Sequence, residues 1–174
     1  MLSFQTQIKI VFLHKRFNTM IQRIQSVFIL ITAMAMAVFL GTNAYTRTLS
    51  ETESISVNAY HVLHKVGNLG TEKEIYYIAV LAGISILVSI FALFQYRNRV
   101  RQILFVAFNS LVMGSTLAIT VYHIMKDAKE IGTGGEETYE VGIFAVIVAM
   151  ISNTVANYFI KKDEKLVRSA DRMR

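Results

Sequence analysis

A polar group inside an apolar stretch is costly in a bilayer, so such groups are the first candidates for chemistry in this sequence. His123 is the ionisable side chain that falls within a long apolar run, about one turn from its end. A neutral imidazole can carry a proton or ligate a metal. A haem held between two helices needs a second facing His, however, and the other apolar runs have none. The reading that fits is an interfacial histidine reaching headgroups and water at the level of Tyr122. His61 and His64 lie three residues apart, with Glu72 and Glu74 downstream, and these are zinc-binding residue types. A third and fourth ligand at characteristic spacing are missing, so the pair reads as two solvated histidines. The sequence contains no Gly-rich phosphate loop, HExxH or GxSxG, and it has no Cys to act as a thiolate. No catalytic, cofactor-binding or metal-binding residue is assigned, and the chain is not expected to be an enzyme.

The elements that must position these residues are four apolar runs, about 26–44, 75–94, 103–124 and 141–160, free of Asp, Glu, Lys and Arg. Each approaches the roughly 20 residues a helix needs to cross about 30 Å of hydrocarbon. The composition agrees, being 53% hydrophobic and 17% charged, where a soluble domain has about a quarter of its residues charged. Too few polar residues remain to cover four such helices in water, and a barrel would need short alternating strands. Pro is absent, so straight helices are expected. The fold class this predicts is an all-α membrane protein, a four-transmembrane-helix bundle with both termini inside. Its outer loops are 45–74 and 125–140, and its cytoplasmic tail is 161–174.

The charges set the orientation. Lys9, Lys15, Arg16 and Arg23 precede the first run, Arg97, Arg99 and Arg101 separate the second from the third, and six more Lys and Arg follow the fourth. These make thirteen of the eighteen basic residues, whereas the other two connections hold nine of the twelve acids. The positive-inside rule therefore places both termini and the middle loop in the cytoplasm. It also accounts for the net charge of +6 without a nucleic-acid surface. Tyr45, Tyr76, Tyr77 and Tyr122 at outer ends, and Tyr96 and Tyr158 at inner ones, read as interface anchors.

In the larger outer loop, Ile55, Val57 and Ala59 alternate with Ser56, Asn58 and Tyr60, which predicts a short β-hairpin. Gly132 to Gly135, followed by Glu136 and Glu137, read as a mobile loop. After the fourth run, Leu166, Ala170 and Met173 share one helical face and Lys162, Lys165, Arg168 and Arg172 populate the rest. This basic amphipathic tail reads either as a helix on the inner leaflet held by anionic lipids or as a solvated stop-transfer segment. Val27 to Leu40, with Thr42-Asn43-Ala44 after it, also has the form of a signal segment, whose cleavage would leave three spans.

Small residues recur at four-residue spacing: Ala33, Ala37 and Gly41; Ala79 and Gly83; Ser110, Gly114 and Ala118; Ala145, Ala149, Asn153 and Asn157. Such stripes let helices approach closely, within the chain's own helices rather than in a dimer face on the present reading. At 1.5 Å per residue from the span midpoints, Asn109 lies roughly 7 Å, Asn153 roughly 4 Å and Asn157 roughly 10 Å to the cytoplasmic side. The third and fourth helices are therefore expected to be neighbours joined by an amide hydrogen bond in this zone.

Met20-Ile21-Gln22-Arg23-Ile24-Gln25 at the entry to the first run, and the closing stretch Lys161 to Arg172, resemble the two ends of a bacterial membrane-protein family known as domain of unknown function 4293. The resemblance covers Met20 to the C-terminus and implies four spans in a bacterial inner membrane, with no activity attached. In that family the MIQRIQ-like motif opens the chain. Residues 1–19 therefore read as an N-terminal extension or as an upstream start codon chosen in error, and residues 20–174 as a single membrane domain. The expected role is a non-catalytic accessory subunit or envelope component with no cofactor, whose partners are the lipid bilayer and a further membrane protein or a second copy. The alternative is a small oligomeric transporter or channel using the Asn-lined zone.

Overall fold

The computed structural model describes residues 24–95, 98–128 and 134–172. The N-terminal extension 1–19, Tyr96, and Gly132 and Thr133 of the glycine-rich loop lie outside them. Among the described residues four helices are long and apolar enough to cross a membrane. Helix α1 is Ile24–Gly41, α2 Tyr76–Phe94, α3 Arg99–His123 and α4 Val141–Arg172.

The all-α expectation is overturned: a five-stranded antiparallel sheet joins the helices, in the order β4-β3-β2-β1-β5. Strands β1 (Tyr45–Ser50), β2 (Glu53–Val57), β3 (His61–Val66) and β4 (Leu69–Glu74) fill the connection from α1 to α2. Strand β5 (Glu136–Tyr139) comes from the connection between α3 and α4 and pairs with β1, Tyr45 opposite Tyr139 and Thr48 opposite Glu136. The two connections expected to lie outside thus form one structure, with four strands in the first where a hairpin was expected. Local chemistry makes its turns. Asn58 Oδ1 accepts from the amides of Tyr60 and His61, both at 2.9 Å, closing the turn from β2 to β3. Gly67 takes φ 59° at the first position of the two-residue turn into β4, the conformation that only glycine adopts freely there.

Strand alternation turns Tyr45, Arg47, Ile55, Val57 and Val62 to one face, and all five are buried. Their apolar members join Met36 and Phe39 of α1, Ile78 and Ala82 of α2, Met113 of α3 and Val146 and Ala149 of α4 in one core, so the sheet is continuous with the helical part. Tyr45, expected as a headgroup anchor, is fully buried instead. Burial pushes its phenol pKa up, and the Glu137 carboxylate adds to the effect. Helix α1 supplies four of the largest fully buried side chains, Gln25, Ile29, Met36 and Phe39, and is a structural member of the fold.

At the corner after α1, Asn43 O accepts from Gly142 N at 2.9 Å and Ala44 O from Glu140 N at 3.0 Å. The corner thereby satisfies amides at the start of α4 that have no partner within that helix. Arg47 Nε donates to Gly134 O at 2.9 Å, which ties the described end of the glycine-rich loop to β1. The small-residue stripe is buried on α4 at Ala145, Ala149 and Asn153, but Ala37 and Gly41 on α1 are exposed. Packing on α1 runs through Gln25, Ile29, Thr32, Met36 and Phe39, because the four-residue spacing alone does not say which face is turned inward.

Candidate functional site: a polar seam between two ion pairs

At the sheet end, α3 passes into a π-helical turn, Ile124–Ala128, a distortion often found at functional sites. The turn brings Asp127 onto His123, where Asp127 Oδ2 pairs with His123 Nδ1. His123 Nε2 meets the Tyr77 hydroxyl of α2, and Lys73 of β4 donates to Asp127 Oδ1 at 2.7 Å. With Nδ1–H donated to the carboxylate, Nε2 is the acceptor and the phenol the donor. In that tautomer the three side chains form one hydrogen-bonded relay from the phenol through the imidazole to the carboxylate. His123 is 4% exposed, so it is a core residue rather than one reaching headgroups. Its sequence neighbour Tyr122 is exposed.

At the other end of the helices, Arg99 Nε lies 3.1 Å from Asp163 Oδ2, with the Asp163 side chain fully buried. Asn98 starts α3 there by accepting from Arg101 N at 3.3 Å, so the helix begins before the apolar run and carries Arg99 into the pair. Gln25 and Gln102, one turn beyond the buried Ile29 and Val106, are themselves fully buried. Gln102 Nε2 donates to Ala92 O at 3.1 Å.

Between the two pairs lies the asparagine zone. Asn153 Nδ2 donates to Ser110 Oγ at 2.8 Å and to Val106 O at 2.9 Å, so α3 and α4 are neighbours joined by an amide, as expected. Asn109 turns the other way and donates to Ser89 Oγ of α2 at 2.8 Å. The sequence placed these amides at one depth; it could not say that α3 would be flanked on both sides.

His61 and His64 project from opposite faces of β3, since residues three apart on a strand cannot share a face. His64 Nε2 pairs with Glu53 at 2.9 Å and His61 Nε2 with Asn58 at 3.2 Å. The two imidazoles do not converge on one ion. Among the described residues no group of three or more His, Cys, Asp or Glu is placed to hold a metal.

Sequence reasoning missed Tyr77, Asp127, Lys73, Asp163, Gln25 and Gln102 as members of these clusters. It had assigned Tyr77 to the interface, and the charged residues to loops and tail. One signal was available: Gln102, Asn109, Thr116 and His123 recur every seventh residue of one helix, a polar stripe on a face that should be apolar.

Fold and site together define a protein with four potential membrane-crossing helices, a polar interior seam and an antiparallel sheet over one end. The chain belongs to the family described as a domain of unknown function (DUF4293), which matches residues 21–173. No curated protein matches it.

Proposed function

We propose that the chain is a non-catalytic subunit or envelope component of the bacterial cytoplasmic membrane, with both termini in the cytoplasm and the sheet outside. The observation that carries this reading is the sheet itself. Both outer connections are spent on one folded surface, fixed to the helix core and edged by the exposed strands β4 and β5. Such a platform suits contact with a partner better than turnover of a substrate. The charge sorting of the connections supports the orientation.

Helix α4 runs 32 residues without interruption into the basic tail. The tail is thus a continuation of the fourth helix rather than a separate helix laid on the leaflet. Tyr158, Lys161, Lys162 and Lys165 line a shallow groove along it, suited to anionic headgroups. The experiment is gentle extraction of the native protein after crosslinking in cells. A defined higher-mass species that contains the same membrane protein, or a second copy, in each preparation is expected. A lone species at every crosslinker dose would remove the subunit reading.

A second reading, a small oligomeric transporter or channel, is favoured by one observation, the buried amides and hydroxyls running between the two ion pairs.

A further inference from the structure

The seven-residue stripe on α3 faces the interior throughout: Gln102, Asn109, Thr116 and His123 are all buried. Each step of seven residues rises about 10.5 Å, and neighbouring helices fill the intervals. The Asn109–Ser89 and His123–Tyr77 contacts fix α2 antiparallel to α3, which sets buried Ser85 between the levels of Asn109 and Thr116. The Asn153–Ser110 and Asp163–Arg99 contacts fix α4 in the same way and set Asn157 between Gln102 and Asn109. Buried Thr120 lies between Thr116 and His123 along α3 and donates its hydroxyl to Thr116 O at 2.8 Å. Measured along α3, polar levels therefore recur at rises of about 3 to 6 Å from Asp163 to His123, on the α4 flank at Asn157 and Asn153 and on the α2 flank at Asn109 and Ser85.

Many of these groups are incompletely satisfied by the protein. Ser85 Oγ, Asn109 Oδ1, Asn157 Oδ1, Gln102 Oε1 and both amide atoms of Gln25 are buried without a protein partner among the described residues. Such atoms in native interiors are normally met by internal water. Fully buried Val106 and Met113 occupy turns between these polar levels on α3.

We propose that the seam is hydrated and passes protons between Asp163 at the cytoplasmic end and the Tyr77–His123–Asp127 group at the outer end. A proton taken up on the Asp163 carboxylate, which faces Arg99, is handed to the water chain. Each water accepts one proton as it gives up another. At the far end the Tyr77 oxygen takes a proton from water as its own moves to His123 Nε2. Nδ1–H then passes its proton to Asp127, beside Lys73, and Asp127 releases it to solvent. Rotation of the ring restores the starting tautomer. Every O–H or N–H bond broken is matched by one formed, one proton is displaced, and nothing is oxidised or reduced.

This inference gives a substrate to the transport reading above and requires the chain to cross the membrane. The test reconstitutes the full chain in liposomes of mixed zwitterionic and anionic phospholipid, containing a pH-reporting dye. A pH gradient is imposed with the potential clamped by potassium and valinomycin. The expected result is proton flux above protein-free liposomes, reduced by roughly tenfold in both Ser85→Leu and His123→Leu. Ser85→Leu plugs the middle without removing a charge, and thermal unfolding of each variant checks that it is folded. Flux no greater than in protein-free liposomes, or flux equal in wild type and folded variants, overturns the proposal. Impermeant maleimide labelling of Glu72→Cys and Lys165→Cys in the same liposomes separates the two failures. Labels on opposite sides with no flux sink the proton path alone, and labels on one side sink the spanning arrangement beneath it.

Discussion

Replacing Arg99 with Ala is expected to lower stability by about 3–5 kcal/mol, because it leaves the Asp163 carboxylate fully buried without its cation. An ion pair with one side chain enclosed gains little over an apolar pair, since desolvation offsets most of its attraction. Removing one member exposes that cost undiluted. The double variant Arg99→Met with Asp163→Leu should therefore recover most of the loss, as no charge remains to be solvated. Thermal unfolding of the detergent-solubilised protein reads both. A double variant as unstable as Arg99→Ala would mean that the pair holds α3 to α4 by its geometry and not through its electrostatics.

Gly142→Ala is expected to cost about 1–3 kcal/mol, the range for forcing atoms into a filled space. Ala ordinarily gains about 1 kcal/mol over Gly within a helix, so the sign itself is informative. A Cβ at Gly142 would stand 2.6 Å from Asn43 O and 2.9 Å from Asn43 C, both backbone atoms of the corner that leads into β1. To make room, α4 must move away from that corner, stretching the hydrogen bond from Gly142 N to Asn43 O. Gly83 and Gly114 are the contrast, because a Cβ there meets nothing within 4 Å. Their Ala variants should be neutral or stabilising in the same unfolding experiment. Equal melting temperatures for Gly142→Ala and Gly83→Ala would contradict the close corner packing.

The helices were legible because twenty apolar residues without a charge have few other ways to be accommodated. Their ends were less so. Helix α3 begins at Arg99 rather than near Ile103 because Asn98 caps it, and a cap does not depend on where hydrocarbon ends. Helix α4 continues past Ile160 because Lys161, Lys162, Glu164 and Lys165 are good helix formers and nothing in that stretch breaks the ladder.

The sheet was legible at one strand. Ile55 and Val57 alternate with polar neighbours since β2 lies in the middle of the sheet with one face on the core. The edge strands LGTEKE and EETY are exposed along their whole length, so no burial imprints a period of two on them. The pairing of β1 with β5 brings together residues some ninety positions apart, and neither strand records it locally.

The same limit applied to the site. His123 and the asparagines stood out as polar residues in apolar runs. Asp127, Lys73 and Asp163 looked like ordinary loop and tail charges until a π-turn, a strand and an uninterrupted helix carried them to the ends of the seam.

The claim on which the rest depends is that the connection from α1 to α2 and the connection from α3 to α4 fold together as one sheet over the helices. The natural chain has no Cys, so introduced pairs report without background. Thr46 faces Thr138 across β1 and β5, and Thr46 also faces Ser56 across β1 and β2. In the membrane-embedded protein treated with a mild oxidant, Thr46→Cys with Thr138→Cys should form a disulfide-linked peptide pair by mass spectrometry, as should the control, Thr46→Cys with Ser56→Cys. Linkage in the control but not across β1 and β5 would contradict the single sheet.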